Sequence, residues 1–163
     1  MRKNKACGFR ACALYAAVLG VVSFVVGRIV PKSWFHSDRF PFRCGEWEKK
    51  LYAALRVKDW QSKTPDMSRL FRRIMPAKRI NADTLSELPR MLEETCVAEA
   101  THGILSVLGL GCLRLWRGIG GVLFAAAYIL LGNVPFIIIQ RYNRPRLQKL
   151  MERRRRRETG GVK

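Results

Sequence analysis

The chain has 163 residues, with 31 Lys and Arg against 12 Asp and Glu, a formal net charge of +19. This length allows one small domain or a membrane protein of a few spans, and the apolar residues are gathered into blocks at both ends, which argues against a single soluble core. The charge implies an anionic partner. Basic residues lie beside apolar runs and among Trp, Tyr and Phe, the pattern of a membrane interface, so a bilayer with anionic lipids is the expected partner and nucleic acid is not.

Arg2, Lys3, Lys5 and Arg10 precede an uncharged run over residues 11–27, in the manner of a secretory signal. The run is long for a signal and no Ala-x-Ala site precedes Pro31, so residues 1–30 are expected to form an uncleaved signal-anchor span, with Arg28 snorkelling at its far end. Residues 31–103 mix basic residues with rings such as Trp34, Phe40, Trp47 and Trp60 and are expected to lie on the membrane as an interfacial amphipathic segment. Within it, Met67, Leu70, Phe71, Ile74 and Met75 follow helical spacing, a stripe suited either to the membrane surface or to the protein's own core. Thr84-Leu85-Ser86-Glu87 has capping-box spacing and Pro89 fits only a first turn, so a helix is expected to begin between Asp83 and Ser86.

That helix places Thr95, Glu99 and His102 on one face, because offsets of four and three bring successive turns into register. Glu94 lies about 100° from Thr95 around the axis and points to a different partner. Residues 103–113 are apolar but too few for an ordinary span; they read as re-entrant or interfacial, or as part of two linked spans turning at 114–118. Residues 118–140 carry no charge and would cover about 33 Å as a helix before Arg141 meets the headgroups. Pro135 frees a carbonyl four residues back, and Asn133 adds an amide at a depth where unpaired polar groups are costly, so both need partners. Residues 104–147 are thus a membrane segment ending in Arg-Tyr-Asn-Arg-Pro-Arg-Leu, and residues 148–163 a basic tail whose arginines 153–157 read as a solvated anchor. The expected fold is mainly α: a small integral membrane protein with two transmembrane helices, or three, and interfacial amphipathic helices. Basic clusters at both termini place both on the cytoplasmic side, which needs an even number of spans.

A His with a carboxylate one turn before it is a candidate general base, and Glu99 and His102 have that spacing. Deprotonating a hydroxyl for attack on an activated acyl group builds negative charge on the acyl oxygen, for which Arg141, Asn143, Arg144 or Asn133 could donate. The same spacing also serves a purely structural pair. Glu99-x-x-His102 is half of a carboxylate-bridged metal motif, but the second half is missing and His36 is the only other histidine, so no metal is expected. No Gly-x-Ser-x-Gly elbow, P-loop or dinucleotide fingerprint occurs, and no bound cofactor is expected. Five cysteines form no Cys-x-x-Cys pair and read as small apolar fillers, and the glycines at 109, 111, 118, 120 and 121 read as close-packing points.

Asn133-Val134-Pro135 followed by Ile-Ile-Ile-Gln-Arg-Tyr-Asn-Arg-Pro-Arg-Leu over residues 137–147 resembles the signature of the glycosyl-4,4'-diaponeurosporenoate acyltransferases, small bacterial membrane enzymes. The resemblance extends to Glu94-Thr95, Ala98-Glu99 and His102, to Trp60 with Lys63 and Asp66, and to Pro31 with Trp34-Phe35. It implies esterification of a sugar hydroxyl on a glycosylated carotenoid acid, or on a similar isoprenoid or glycolipid, by a fatty acyl chain in the bacterial cell membrane. The donor would be a co-substrate, a coenzyme A thioester or a lipid. In this reading Glu94, Glu99 and His102 are the catalytic candidates, with His102 as base and Glu99 orienting it. Arg141, Asn143 and Arg144 would meet the acyl oxygen or a donor phosphate, and Asn133, Tyr142, Arg146 and Trp60 would complete the substrate site. The competing reading is a non-catalytic basic membrane anchor that gathers anionic lipid or holds a partner enzyme.

Overall fold

The computed structural model describes residues 2–64 and 87–160, which are helical with short connections and contain no strand. Helix α1 (Arg2–Ile29) is followed by a 3-10 turn at Lys32–Trp34, then α2 (Glu46–Ala54), α3 (Val57–Trp60) and a second 3-10 turn at Gln61–Lys63. Then come α4 (Leu88–Gly109), α5 (Cys112–Leu115), α6 (Ile119–Leu130) and α7 (Val134–Gly160). Pro89 sits in the first turn of α4, as its missing N–H requires. The capping box over residues 84–86 and the apolar stripe at 67–75 lie outside the described residues.

Three stretches, Ala6–Ile29, Leu88–Leu115 and Ile119–Arg157, are long and apolar enough to cross a membrane. The short run at 103–113 is therefore no separate re-entrant piece but the second half of a stretch that starts at Leu88. Glu93, Glu94, Glu99 and His102 interrupt its hydropathy without interrupting the helix, because Glu94, Glu99 and His102 have polar partners on neighbouring elements.

The helices pack antiparallel. Along α1 and α4–α5 the register descends: the Cys12 thiol points at the Cys112 carbonyl, the Tyr15 hydroxyl donates to the Leu108 carbonyl at 2.9 Å, and Lys32 reaches Glu94 at 2.8 Å. Between α4 and α6–α7 it descends again, from Gly109 beside Tyr128, through His102 on Asn133 and Glu99 on Arg144, to Leu88 and Leu92 on Leu147. A Cβ on Gly109 would stand 2.6 Å from the Tyr128 ring, so this glycine is the close-packing point its place between apolar runs suggested. Cys12, Cys112 and Ala125 form a small core with Tyr15, Trp116 and Phe124 around it, and Cys12, Cys96 and Cys112 are buried as free thiols.

Since α1, α6 and α7 all run the same way, α1 starts at the end of the bundle where Gly8 meets Trp116, and α7 finishes at the opposite end. That opposite end also carries residues 30–64 and the first turns of α4. The expectation of both termini on one face needs an even number of crossings. In this bundle the start of α1 and the end of α7 lie at opposite ends, because α4 is long enough to return the chain between them.

Candidate active site

Pro145 lies inside α7 and lacks the N–H that would bond the Arg141 carbonyl. The Cys44 thiol takes its place, donating to that carbonyl at 3.5 Å. This draws the loop before α2 onto α7, and two arginines fasten it. Arg141 Nε and Nη2 grip the Glu48 carboxylate, each at 2.8 Å, while Nη1 reaches Glu99 at 2.5 Å and the Pro41 carbonyl at 3.1 Å. Nη2 also donates to the Arg43 carbonyl at 3.1 Å. Arg144 is fully buried, at 0% exposure. Its Nε donates to the Thr95 hydroxyl at 2.9 Å, Nη2 to the Thr95 carbonyl at 3.1 Å and to Glu99 at 2.6 Å, and Nη1 to the Phe42 carbonyl at 2.5 Å.

A guanidinium has five N–H donors. Arg141 has all of them on protein partners, and Arg144 has four such bonds plus the Cys44 sulfur at 4.0 Å. Two cations face two anions, Glu48 and Glu99, which leaves the cluster neutral. Burial alone would raise the Glu48 carboxyl, but donation from Arg141, from the Tyr52 hydroxyl at 2.5 Å and from the Gly45 amide at 2.8 Å outweighs it and holds the group at about 2. The Tyr52 phenol is pushed up by its burial and by the carboxylate it donates to. The cluster is a clamp joining α2, the 41–48 loop, α4 and α7.

One turn deeper, α6 ends and α7 begins at the Pro135 break, where Asn133 is buried at 2% exposure. Its Nδ2 donates to the Tyr128 carbonyl at 2.9 Å, which turns its oxygen toward His102 Nδ1 at 3.0 Å. The amide nitrogen being committed, Nδ1 must be the ring N–H and Nε2 must carry the lone pair. Phe136 stacks on the imidazole, 4.8 Å between centroids and 8° from parallel, and fixes the ring plane. Nε2 has no hydrogen-bond partner among the described residues. An imidazole held in one tautomer with its basic nitrogen free is equipped to take a proton from a hydroxyl.

Glu99, Ala100, Gly103, Ile104, Val107 and Leu108 line an apolar groove of about 480 Å³ along α4, together with Pro41, Phe42 and Ile137. From Glu99 to Leu108 it runs about 14 Å along the helix axis. His102 adjoins the groove through Gly103 on its own helix and through Phe136, the neighbour of Ile137, without lining it.

The residues singled out from sequence separate into groups. Thr95, Glu99 and His102 do share a face of α4, but the expected Glu99–His102 pairing is not made: Glu99 is taken by Arg141 and Arg144, and Asn133 holds the histidine. Glu94 points elsewhere, as its angle on the helix predicted, to Lys32 at 2.8 Å and Arg90 at 3.5 Å. Tyr142 meets Tyr52 edge-on at 6.2 Å and lies 3.9 Å under the Arg146 guanidinium, a surface stack. The Asn143 side chain makes no hydrogen bond among the described residues and remains a free amide on α7. Trp60 turns its N–H onto the Leu55 carbonyl at 3.0 Å, a local closure. Sequence reasoning missed Glu48, Tyr52 and Cys44; the Gly45-x-x-Glu48 spacing at the start of α2 was the only available signal for Glu48. Among the described residues no cluster of His, Cys, Asp or Glu is arranged to hold a metal.

A family model described as glycosyl-4,4'-diaponeurosporenoate acyltransferase matches residues 31–153, which include the clamp, the groove and the Asn133–His102 pair. The glycosyl-4,4'-diaponeurosporenoate acyltransferase of Staphylococcus aureus strain MRSA252 is 30% identical over 148 residues, covering 86% of each chain. Its counterpart in strain RF122 / ET3-1 is 31% identical over 151 residues, with the same coverage. No solved structure matches. The chain belongs to the glycosyl-4,4'-diaponeurosporenoate acyltransferase family and is an acyltransferase.

Proposed function

We propose that the protein esterifies a sugar hydroxyl of a membrane-held glycolipid with a fatty acyl chain, the acceptor being a glycosylated carotenoid acid or a close isoprenoid relative, as the names of its relatives suggest. The observation that carries this is the Asn133–His102 pair, which leaves Nε2 without a partner on a helix whose next residue, Gly103, lines the apolar groove. His102 Nε2 accepts the hydroxyl proton as the oxygen attacks the acyl carbonyl carbon, and Asn133 holds the imidazole in the required tautomer. The groove offers an alkyl or polyene chain a berth reached from the bilayer, which keeps the polar head near Glu99 and the loop above it. With the donors of Arg141 and Arg144 held by the clamp, Gln140 and Asn143 are the amides of the motif left for the acyl oxygen, and Asn143 is the one we assign to it.

Trp34, Phe40 and Trp47 are exposed at the loop end beside Arg39, Arg43 and Lys49, which supports seating of that end in the headgroup layer of a bacterial cell membrane with anionic lipids. The test is to reconstitute the purified protein in lipid with an acyl donor and either a glycosylated carotenoid acid or an unrelated glycolipid, and to follow ester formation by mass spectrometry. An ester on the carotenoid glycoside supports the reading. Ester formation on the other glycolipid alone would move the acceptor, and none on either would reject acyl transfer to sugars.

A further inference from the structure

The two ends of the bundle differ in charge. Among the described residues, the basic ones where α1 begins and Trp116 turns the chain are Arg2, Lys3, Lys5, Arg10, Arg114 and Arg117, six in all, with no acidic residue beside them. The other nineteen described basic residues belong to the opposite end, the one with the clamp, and orientation follows the excess of Lys and Arg, with acidic residues counting little. His102 is nearer that end as well. It is level with Phe136, five residues or about 8 Å of helix below Arg141, whereas Trp116 is fourteen residues or about 21 Å away along α4.

From that end α7 continues past Leu150, the last of its residues in the apolar cluster with Leu88, and five consecutive arginines at 153–157 then cover every direction around the axis. A helix that rests on lipid needs an apolar face, and this one has none. Arg141 to Gly160 measures about 28 Å as a helix, well beyond the reach of headgroups. A stalk charged all round meets a polyanion in water.

We propose that the clamp end of the bundle is cytoplasmic, that the start of α1 is on the opposite side, and that the acyl donor arrives at the clamp end as a water-soluble phosphopantetheine thioester, drawn in by the arginine stalk of α7. This rests on the acyltransferase reading above and selects its donor. The acceptor oxygen forms a C–O bond to the thioester carbonyl carbon as the C–S bond breaks. The hydroxyl proton passes to His102 Nε2 and then to the departing thiolate, so a thiol and an ester are the only products. Two molecules carry this thioester, coenzyme A with its phosphates and a carrier protein with an acidic surface, and both complement the stalk.

Sealed vesicles containing the acceptor decide the matter. Fatty acyl-coenzyme A and a fatty acyl carrier protein are supplied from outside, separately, to inverted vesicles and to right-side-out ones. The expected result is ester formation at least tenfold faster in inverted vesicles with one of the two donors, which also identifies it, and recovery of the right-side-out vesicles on permeabilisation. Equal rates in both orientations, or turnover confined to right-side-out vesicles, overturn the proposal. So does use of neither thioester while cells still accumulate the ester; if cells accumulate none, it is the acyltransferase reading that falls. Arg153→Gln with Arg155→Gln and Arg157→Gln should raise the donor KM about tenfold and remove its salt dependence with kcat unchanged. An unchanged donor KM removes the stalk from docking. In a Cys44→Ser background, exposed Cys7 at the start of α1 should react with an impermeant maleimide on intact spheroplasts; labelling only after lysis overturns the orientation.

Discussion

Glu99→Gln separates a clamp from a catalytic dyad. Glu99 receives Arg141 at 2.5 Å and Arg144 at 2.6 Å, and its side chain is 12% exposed against 0% for Arg144. Removing its charge leaves Glu48 as the single anion for two guanidiniums, and Glu48 touches only Arg141. Arg144 would be left a buried cation with neutral partners. Breaking one member of a buried pair costs about 3–5 kcal/mol, because the surviving charge stays desolvated. For a small membrane protein this is a large share of the total. The variant should therefore lose thermal stability in detergent and accumulate less in membranes, and its activity should fall in proportion to the folded fraction. Melting in detergent by intrinsic fluorescence, with turnover normalised to folded protein, reads both quantities. Wild-type melting together with abolished turnover would refute the clamp and return Glu99 to a direct role on His102.

Glu48→Gln tests the same cluster through pH. The folded carboxyl is held at about 2, below its ordinary value of 4.5, so its contribution to stability is fully present above about pH 4.5 and is lost as the pH falls toward 2. The variant should be less stable at neutral pH, and its remaining stability should fall less steeply between pH 4.5 and 2; parallel acid melts would refute this. Asn133→Ala removes the acceptor that fixes the His102 tautomer, so kcat should fall by about 10²-fold or more with acceptor KM nearly unchanged; steady-state kinetics in nanodiscs checks this, and a pure KM effect would count against it. Gly109→Val drives a side chain into Tyr128 and should cost about 1–3 kcal/mol, read as a lower melting temperature with the acid profile unchanged.

The helical class and the membrane character were legible in the blocks of hydropathy and in the charge at their borders. The third stretch long and apolar enough to cross a membrane was partly hidden, because Glu93, Glu94, Glu99 and His102 make its first half look interfacial. Only the partners of Glu94, Glu99 and His102, on the 3-10 turn after α1, on α7 and at the α6–α7 junction, 31 or more residues away in the chain, make the polar half tolerable. The shared face of Thr95, Glu99 and His102 followed from helical geometry alone, and so did the different direction of Glu94. Which side chain each one meets did not follow, since partner choice is set by how α7 is turned against α4. The buried Asn133 announced that it needed a partner, and its partner proved to be the histidine already singled out. Glu48 could not be found this way: it is 93 residues from Arg141 and looked like any acidic residue in a basic stretch.

The central claim is that His102 is the base of an acyl transfer. Lipid extracts from three hosts making a glycosylated carotenoid acid, one with the protein, one with its His102→Ala variant at equal membrane abundance and one with neither, test it by mass spectrometry. The account predicts a product heavier by one fatty acyl group in the first and a loss of 10²-fold or more of it in the second. Equal amounts of product from the variant would contradict the account.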